Sequence, residues 1–539
     1  MVKNNYLFFL LLIFVLCELI VFPIGNFPLN DDWSYAKSVL ALVNDHKLDL
    51  GQWPAMTLLT HVIWGAVFTK VFGFSFFALR LSTIISSLIG ILILNKLICR
   101  ISGNQLTAFI ASLVLLLNPF YFNLTNTFMT DVNFNTLLLL AVYFVYDFFE
   151  TKSKLSFALV FVLSILLVLL RQYGIILPLA FFITCLFLKE KKMLWSLLAL
   201  MLALITIFIL KKYENYLRSI LAPGAAYKFS GDMNPTQRVF WDILFENSGI
   251  RYSKILFHLL FYSFPFTLFF IVRTDFQFSK KSFIAVFILS FLATYLLFRH
   301  DDFQMANVFI HYSVGTETFF ETLKGTDDGF SHTYSETFET LALPLKYGFT
   351  GLSLSLMVLV ILTLVKQNLN PFKNKPELVF LLLLVVGYVF MICITESYFD
   401  RYHIPLICLA LVFMAYIPIR KKTTIWPVTL SLLLFFYVSV FGTKDYFTLH
   451  QKSMEAYDFV KQNKNITNEE INPGFELYNW NEGKQSWWWE FMELTNFNYL
   501  IQYDSEPGFK LVKEFEYQRY FPLRKDKINL YEREESLKR

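Results

Sequence analysis

Charge is what this chain is short of. Lys, Arg, Asp and Glu make up only 17% of its 539 residues, against 56% hydrophobic residues and a mean hydropathy of +0.50. That balance excludes a soluble fold, because too little polar surface is available to face water. Cysteine is scarce as well. The five thiols (Cys17, Cys99, Cys185, Cys393 and Cys408) lie in or beside apolar runs with no paired spacing. This excludes a disulfide framework and a zinc site, and leaves them as small packing residues. The net charge of +5 is small for the length and its basic residues sit in short loops, so no nucleic-acid surface is indicated. No internal repeat of fixed period is present. What the chain has in quantity is apolar and aromatic side chain, with 62 phenylalanines alone.

Tyr6 to Gly25 forms the first long apolar run, behind a lone Lys3 and without a small-residue cleavage site. It reads as an uncleaved membrane helix. Glu18 lies inside it, and an acid facing lipid at mid-bilayer costs roughly 2.5 to 3.5 kcal/mol, so it is expected to turn toward the bundle or a wet cavity. Asn30 to Asn44 has helical spacing, with Asn30 or Asp31 placed to cap. Residues 54–73 are ambiguous, since hydropathy makes them a span while Thr57, Thr60, His61, Thr69 and Lys70 argue against one. Charge bias decides. With that segment lying along the interface, spans fall at 77–97, 105–120, 133–149, 155–170, 174–188, 193–210, 254–272, 282–298, 345–365, 378–395, 404–419 and 424–441. Alternate loops then carry Lys96/Arg100, Lys152/Lys154, Lys189/Lys191/Lys192, Arg273/Lys280/Lys281, Lys366/Lys373/Lys375 and Arg420/Lys421/Lys422, a consistent positive-inside pattern. Lys211 and Lys212 are its exception.

The expected fold is therefore mostly α, a polytopic membrane protein of about 13 spans with the N-terminus inside. Residues 1–442 form the membrane domain, with external loops at 27–76, 212–252 and 299–344. Residues 443–539 are charged, rich in Asn and Glu, contain Trp487-Trp488-Trp489, and alternate in strand fashion. They read as a small external α/β domain.

This topology gathers acids and arginines on the external face. Asp31 and Asp32 lie in Asn30-Asp31-Asp32-Trp33-Ser34-Tyr35, and Asp131 in Thr127-Phe128-Met129-Thr130-Asp131-Val132. Arg171 lies in Arg171-Gln172-Tyr173-Gly174, Arg401 in Asp400-Arg401-Tyr402-His403, and Arg80 at the outer start of a span. Transfer of a sugar from a phosphate carrier needs a base for the acceptor hydroxyl and cations for the departing phosphate. Carboxylates supply the first and planar guanidinium forks the second. Each group also has a plain structural reading: the aspartates as helix caps, the arginines as interfacial anchors, His61 and His403 as polar satisfiers.

Taken together, the strings Asn30 to Tyr35, Phe74 to Ser82, Leu117-Asn118-Pro119 with Thr127 to Val132, Arg171 to Gly174 and Phe399 to Pro405 resemble the bacterial family 39-type glycosyltransferases. These are membrane enzymes of the GT-C fold, related to protein O-mannosyltransferases and to the aminoarabinose transferases that modify lipid A. The resemblance covers the first 190 residues, the stretch near 400 and, more weakly, Gly474-Phe475-Glu476. It implies an inverting transferase on the external face that uses a polyprenyl-phosphate sugar, with Asp31 as base and Asp131 orienting acceptor or base. Arg171 falls where the lipid A enzymes hold phosphate with a lysine. A second lysine of theirs, before the proline of the first external loop, is Trp53 here, so Gln52 or Arg401 is expected to compensate.

The reading is a multi-pass plasma-membrane glycosyltransferase acting on a glycolipid, polysaccharide or protein acceptor, without a cofactor or an obligatory divalent ion. Tyr35, Gln52, His61, Tyr173 and His403 are supporting candidates. The rivals are a transporter or flippase for lipid-linked sugars, which needs midplane acids and paired repeat halves, and a polysaccharide polymerase or ligase, which takes a lipid diphosphate.

Overall fold

The computed structural model describes residues 5–188, 192–221, 248–274, 278–298, 335–366, 375–394, 399–419, 425–463, 466–481, 497–502, 505–520 and 523–534. Most of the two large loops expected at 212–252 and 299–344, and the Trp487-Trp488-Trp489 run, lie outside the described residues.

Helices dominate. The N-terminal part runs α1 (Tyr6–Val21), α2 (Asp32–Asn44), α3 (Leu59–Phe72), α4 (Phe76–Ser102), α5 (Gln105–Leu116), α6 (Pro119–Thr125), α7 (Thr130–Thr151), α8 (Lys154–Val168), α9 (Ile176–Cys185) and α10 (Lys192–Ile220). There follow α11 (Ser248–Tyr262), α12 (Phe264–Arg273), α13 (Lys280–Phe298), α14 (Ser335–Lys366), α15 (Pro376–Ile394), α16 (Ile404–Met414), α17 (Trp426–Phe436) and α18 (Gly442–Asn463). The local sequence sets the boundaries. Ser75, Asn104, Asn118 and Ser153 each accept a backbone N–H from the first turn of the helix they precede, and Gly103 closes α4 in the left-handed conformation. Gly90 lets α4 approach α7, since a Cβ there would meet Thr136 Oγ1 at 2.6 Å.

Among the described residues, six helices are long and apolar enough to cross a membrane, or eight if two bent pairs each count as one span. The bends, 69° between α5 and α6 and 58° between α11 and α12, fall where Asn118-Pro119 and Phe264-Pro265 interrupt the backbone ladder. The other expected spans coincide with shorter apolar helices of 10–17 residues. The chain is a multi-pass membrane protein. α3 has 14 residues, about 21 Å of helix, and belongs to the same class of shorter apolar helices. It buries His61, Val62, Gly65, Ala66, Phe68 and Thr69 and exposes Ile63, Val67 and Val71. Glu18 turns inward, its oxygens buried beside Asn126.

The C-terminal unit is built on a helix that does not stop at the membrane. From Trp426 the chain runs through α17, a π-helical turn at Tyr437–Phe441 and α18 as one helical stretch to Gln462. The expected boundary at 442 falls inside it. A four-stranded sheet packs on α18, with β1 (Ile471–Asn472), β2 (Tyr499–Gln502), β3 (Phe509–Tyr520) and β4 (Leu523–Arg533) in the order β1-β2-β4-β3. β1 and β2 are parallel and the other pairs antiparallel. Ala456, Tyr457 and Val460 of α18 meet Ile501, Phe515, Tyr517, Ile528 and Leu530 in one core. A short helix, α19 (Phe475–Asn481), connects β1 toward β2 and packs on α2.

Sheet and membrane helix are joined by a buried ion group. Arg519, 1% exposed, has Nε 3.9 Å from Asp445 Oδ2 and Nη1 3.4 Å from Asp526 Oδ2, while Asp445 Oδ1 accepts the Tyr520 N–H at 2.8 Å. Removing one member of a buried pair costs about 3–5 kcal/mol. Arg519→Ala is therefore expected to lower the thermal unfolding midpoint of the detergent-solubilised protein, measured by intrinsic fluorescence, well beyond an exposed control such as Lys510→Ala.

Candidate active site

α2 and α7 begin side by side, each with an aspartate in or before its first turn. Neither aspartate caps. Asp31 occupies the N-cap position of α2 but makes no side-chain bond to the helix, and Asp131 lies in the first turn of α7 behind an uncapping Met129. Both carboxylates are committed elsewhere. Asp31 Oδ1 accepts from the Trp53 indole N–H at 2.9 Å, and Asp31 Oδ2 lies 3.4 Å from Arg401 Nη2. Asp131 Oδ2 lies 2.9 Å from Arg171 Nη2 and 3.8 Å from Arg401 Nε. Arg401 thus stands between two acids that are 100 positions apart in the chain.

The arginines are held by different means. Arg171 ends the α8 segment in extended backbone and directs Nε and Nη2 onto Thr130 Oγ1 at 3.0 and 2.5 Å. Arg401 sits in the single 3-10 turn Asp400–His403, its guanidinium 4.3 Å from the ring centre of Phe399. Tyr402 faces both, 5.5 Å from Arg171 and 6.0 Å from Arg401, and Tyr173 stacks edge-on to Tyr402. Side-chain exposure separates the acids: 24% for Asp31 and 2% for Asp131. Asp31 is the one carboxylate of the group with an open flank.

The remaining candidates divide. Tyr35 is buried against the cluster, where burial and then the charge of Asp31 hold its hydroxyl well above the ordinary value. Asp32 is not in the cluster. It turns back to accept the Leu29 N–H at 2.6 Å and, at 3.5 Å, the Phe128 N–H, and burial pushes its carboxyl up to about 8, offset in part by Arg80. Arg80, expected at the donor phosphate, donates instead to the carbonyls of Gly25 (2.9 Å) and Phe27 and lies between the Phe27 and Phe447 rings. It is neither a lipid-facing anchor nor a partner of Asp31 or Asp131. His61 uses both ring nitrogens, on the Phe128 carbonyl at 3.1 Å and on Asn133 at 2.8 Å, so it joins α3 to α7. His403 stacks on His258 at 4.4 Å behind the Arg401 turn. Gln52 is half-buried beside Trp53, with no bond to the cluster. Among the described residues no three His, Cys, Asp or Glu side chains gather as a metal ligand set. Three members escaped the sequence reading. Trp53 stood out only as a replacement for a lysine, and Thr130 and Tyr402 only as neighbours of charged residues inside quoted motifs.

Residues 61–211 match the family described as dolichyl-phosphate-mannose-protein mannosyltransferase. The matched stretch holds Asp131 and Arg171, and the family it matches is one of those that the motifs resemble. No curated protein matches the sequence. Two solved structures of ArnT from Cupriavidus metallidurans align with it, each at a TM-score of 0.42. The one bound to undecaprenyl phosphate is 11% identical over 99% of both chains, and the apo one 12% identical over 98% of both.

Asp32 gives a pH test. Unfolded, it titrates near its ordinary 3.8; folded, near 8. A raised carboxyl binds its proton more tightly in the folded state, so the stability it contributes is complete below about pH 4 and is lost as pH rises toward 8. Asp32→Asn removes this slope. Its unfolding midpoint is expected to change less than that of wild type between pH 5 and pH 9, as read by thermal scans across that range.

Proposed function

We propose that this chain is a membrane glycosyltransferase that moves a sugar from a polyprenyl-phosphate carrier to an acceptor hydroxyl on the external face, with inversion at the anomeric carbon. The observation that carries the reading is the Asp31–Arg401–Asp131–Arg171 group, which combines a partly open carboxylate with two guanidinium forks at the ends of membrane helices. Charge-assisted bonds from arginine to phosphate oxygens are among the strongest a side chain makes, and bidentate geometry fixes the headgroup as well as holding it.

In this reading Arg171 and Arg401 meet the carrier phosphate and stabilise the charge it takes away as it leaves. Asp31 takes the acceptor proton on a carboxylate oxygen while the acceptor oxygen bonds to C1. The C1–O bond to phosphate breaks, its electron pair stays with the polyprenyl phosphate, and a single displacement inverts the centre. Asp32 suits the base role poorly, because a carboxyl that keeps its proton up to about pH 8 accepts no other at neutral pH. Asp131, paired and closed, serves by holding the arginines. The charge of the leaving group is assigned to the arginines, with no metal in the step.

The external placement rests on the run of basic loops, and the fold supports the sidedness. Asp131 lies in the first turn of α7 and Lys152 follows its end; the helix is 22 residues, about 33 Å, long. At that far end Arg100 pairs with Asp147 and Glu150 at 2.9 and 2.6 Å. The acidic group and the basic loops thus stand about one hydrocarbon thickness apart.

Purified protein supplied with radiolabelled polyprenyl-phosphate mannose and membrane extract tests the reading. Asp31→Asn is expected to abolish transfer of label while eluting as wild type does in gel filtration; retained turnover removes Asp31 as base. Arg171→Ala is expected to raise the KM for the lipid donor about tenfold or more with a smaller change for the acceptor, as loss of a charge-assisted contact implies. Equal effects on both substrates would take Arg171 away from the phosphate.

A further inference from the structure

We propose that Glu476, brought in by the C-terminal unit, is a positioning residue that sets the charge around Asp31, making that unit a working part of the transferase site; this rests on the reading of Asp31 as the base.

Packing carries Glu476 there. α19 opens with Phe475, whose ring lies 5.2 Å from Trp53 and 6.1 Å, edge-on, from Trp33. Trp33 follows Asp31 by two residues in α2, and Trp53 is the indole that donates to Asp31. Phe475, 4% exposed, is therefore wedged against the two aromatic rings that flank the proposed base. At the other end of α19, Lys37 Nζ of α2 donates to the Asn479 carbonyl at 2.5 Å. Gly474, at φ +96°, makes the turn into the helix, a conformation that suits glycine alone. Two points of attachment on α2 and a tight entry seat the start of α19, and Glu476 with it, against the helix that begins beside Asp31.

It faces acids. Asp31 and Asp32 both act on Glu476 or are acted on by it, with Tyr446 of α18 beside them, and Arg80 acts on Asp32 from behind. Arg401 lies on the other side of Asp31. Among the described residues no cation forms an ion pair with Glu476. Burial, and then Asp31, push its carboxyl up to about 7. Near neutral pH its proton is thus among the easiest to move in the site. Once Glu476 ionises, its negative charge makes Asp31 a better proton acceptor, and the coupling is mutual. A merely structural α19 would hold Trp53 through Phe475 and leave proton traffic untouched, so the two roles separate by pH dependence.

Glu476→Gln keeps the side-chain shape and removes the proton. In full-length protein in detergent, the carboxyl infrared band of wild type minus Glu476→Gln is expected to titrate once, with a midpoint of about 7. In an Asp31→Asn background the same difference is expected about one pH unit lower. A midpoint near the ordinary 4.5, or one that Asp31→Asn does not move, overturns the proposal. This arm needs no turnover, so it stands apart from the fate of the transferase reading. In turnover of polyprenyl-phosphate mannose, wild-type kcat is expected to rise through pH 7. Glu476→Gln should flatten that rise, with a deficit of about threefold to tenfold at pH 8 and almost none at pH 6, and Glu476→Asp should restore it. An equal deficit at both pH values marks a structural role and sinks the idea.

Discussion

The constraint on which the site depends is the requirement that buried charge be paired. Arg401 is 7% exposed, Arg171 4% and Asp131 3%, and each such group taken out of water is tolerable only with partners in place. Those partners come from four parts of the chain: the start of α2, the start of α7, the end of α8 and the turn at Asp400–His403. Arg401 and Asp31 are 370 positions apart. Pairing them dictates that the helix ends carrying them converge on one rim of the bundle. The aromatic wall of Tyr402, Tyr173 and Phe399 then keeps water from diluting the attraction.

A second buried polar group lies behind the first and does a different job. Asp32 and Arg80 are both fully buried, and they spend their hydrogen bonds on backbone groups of Leu29, Phe128, Gly25 and Phe27. They pin the loop that delivers Asp31. The adjacent pair Asp31-Asp32 therefore divides between the charged cluster and the backbone of the preceding loop. Consecutive residues at a helix start point in different directions, so only one of the two can reach Arg401.

Much of the fold was legible in the sequence because bilayer thickness imposes lengths on apolar runs and charge bias orients them. The starts of α4, α7, α8 and α10 fall within three residues of expectation, and a helix, α3, lies within the ambiguous stretch 54–73. What periodicity did not reveal were the bends at Asn118-Pro119 and Phe264-Pro265, where proline removes a donor inside an otherwise apolar stretch. Nor did it reveal the helix that passes from Trp426 through 442, since composition changes there while backbone geometry does not. Residue type singled out Asp31, Asp131, Arg171 and Arg401, which the fold brings into one cluster. It misled for Arg80, because an arginine at a span's outer start reads as an anchor whether its guanidinium meets lipid, phosphate or backbone carbonyls. Trp53 and Thr130 had no signal of their own, since an indole or hydroxyl becomes informative only when its partner is known.

The resting charges also bear on how a phosphate could enter. Among the described residues of the cluster two aspartates and two arginines balance, so an arriving anion must take an arginine from a carboxylate. The two arginines are unequal in this respect. Arg171 is fixed by Thr130 and by the closed carboxylate of Asp131, at 2.9 Å. Arg401 holds its acids loosely, at 3.4 and 3.8 Å, and one of them, Asp31, keeps a second donor in Trp53. Drawing Arg401 toward a phosphate therefore leaves Asp31 held in place by a neutral indole, with its cation withdrawn. A neutral donor orients a carboxylate while stabilising its negative charge far less than a guanidinium does, which suits the base role proposed for Asp31. The replacement of an expected lysine by Trp53 then acquires a physical sense: a lysine at that position would have kept a permanent cation on the proposed base.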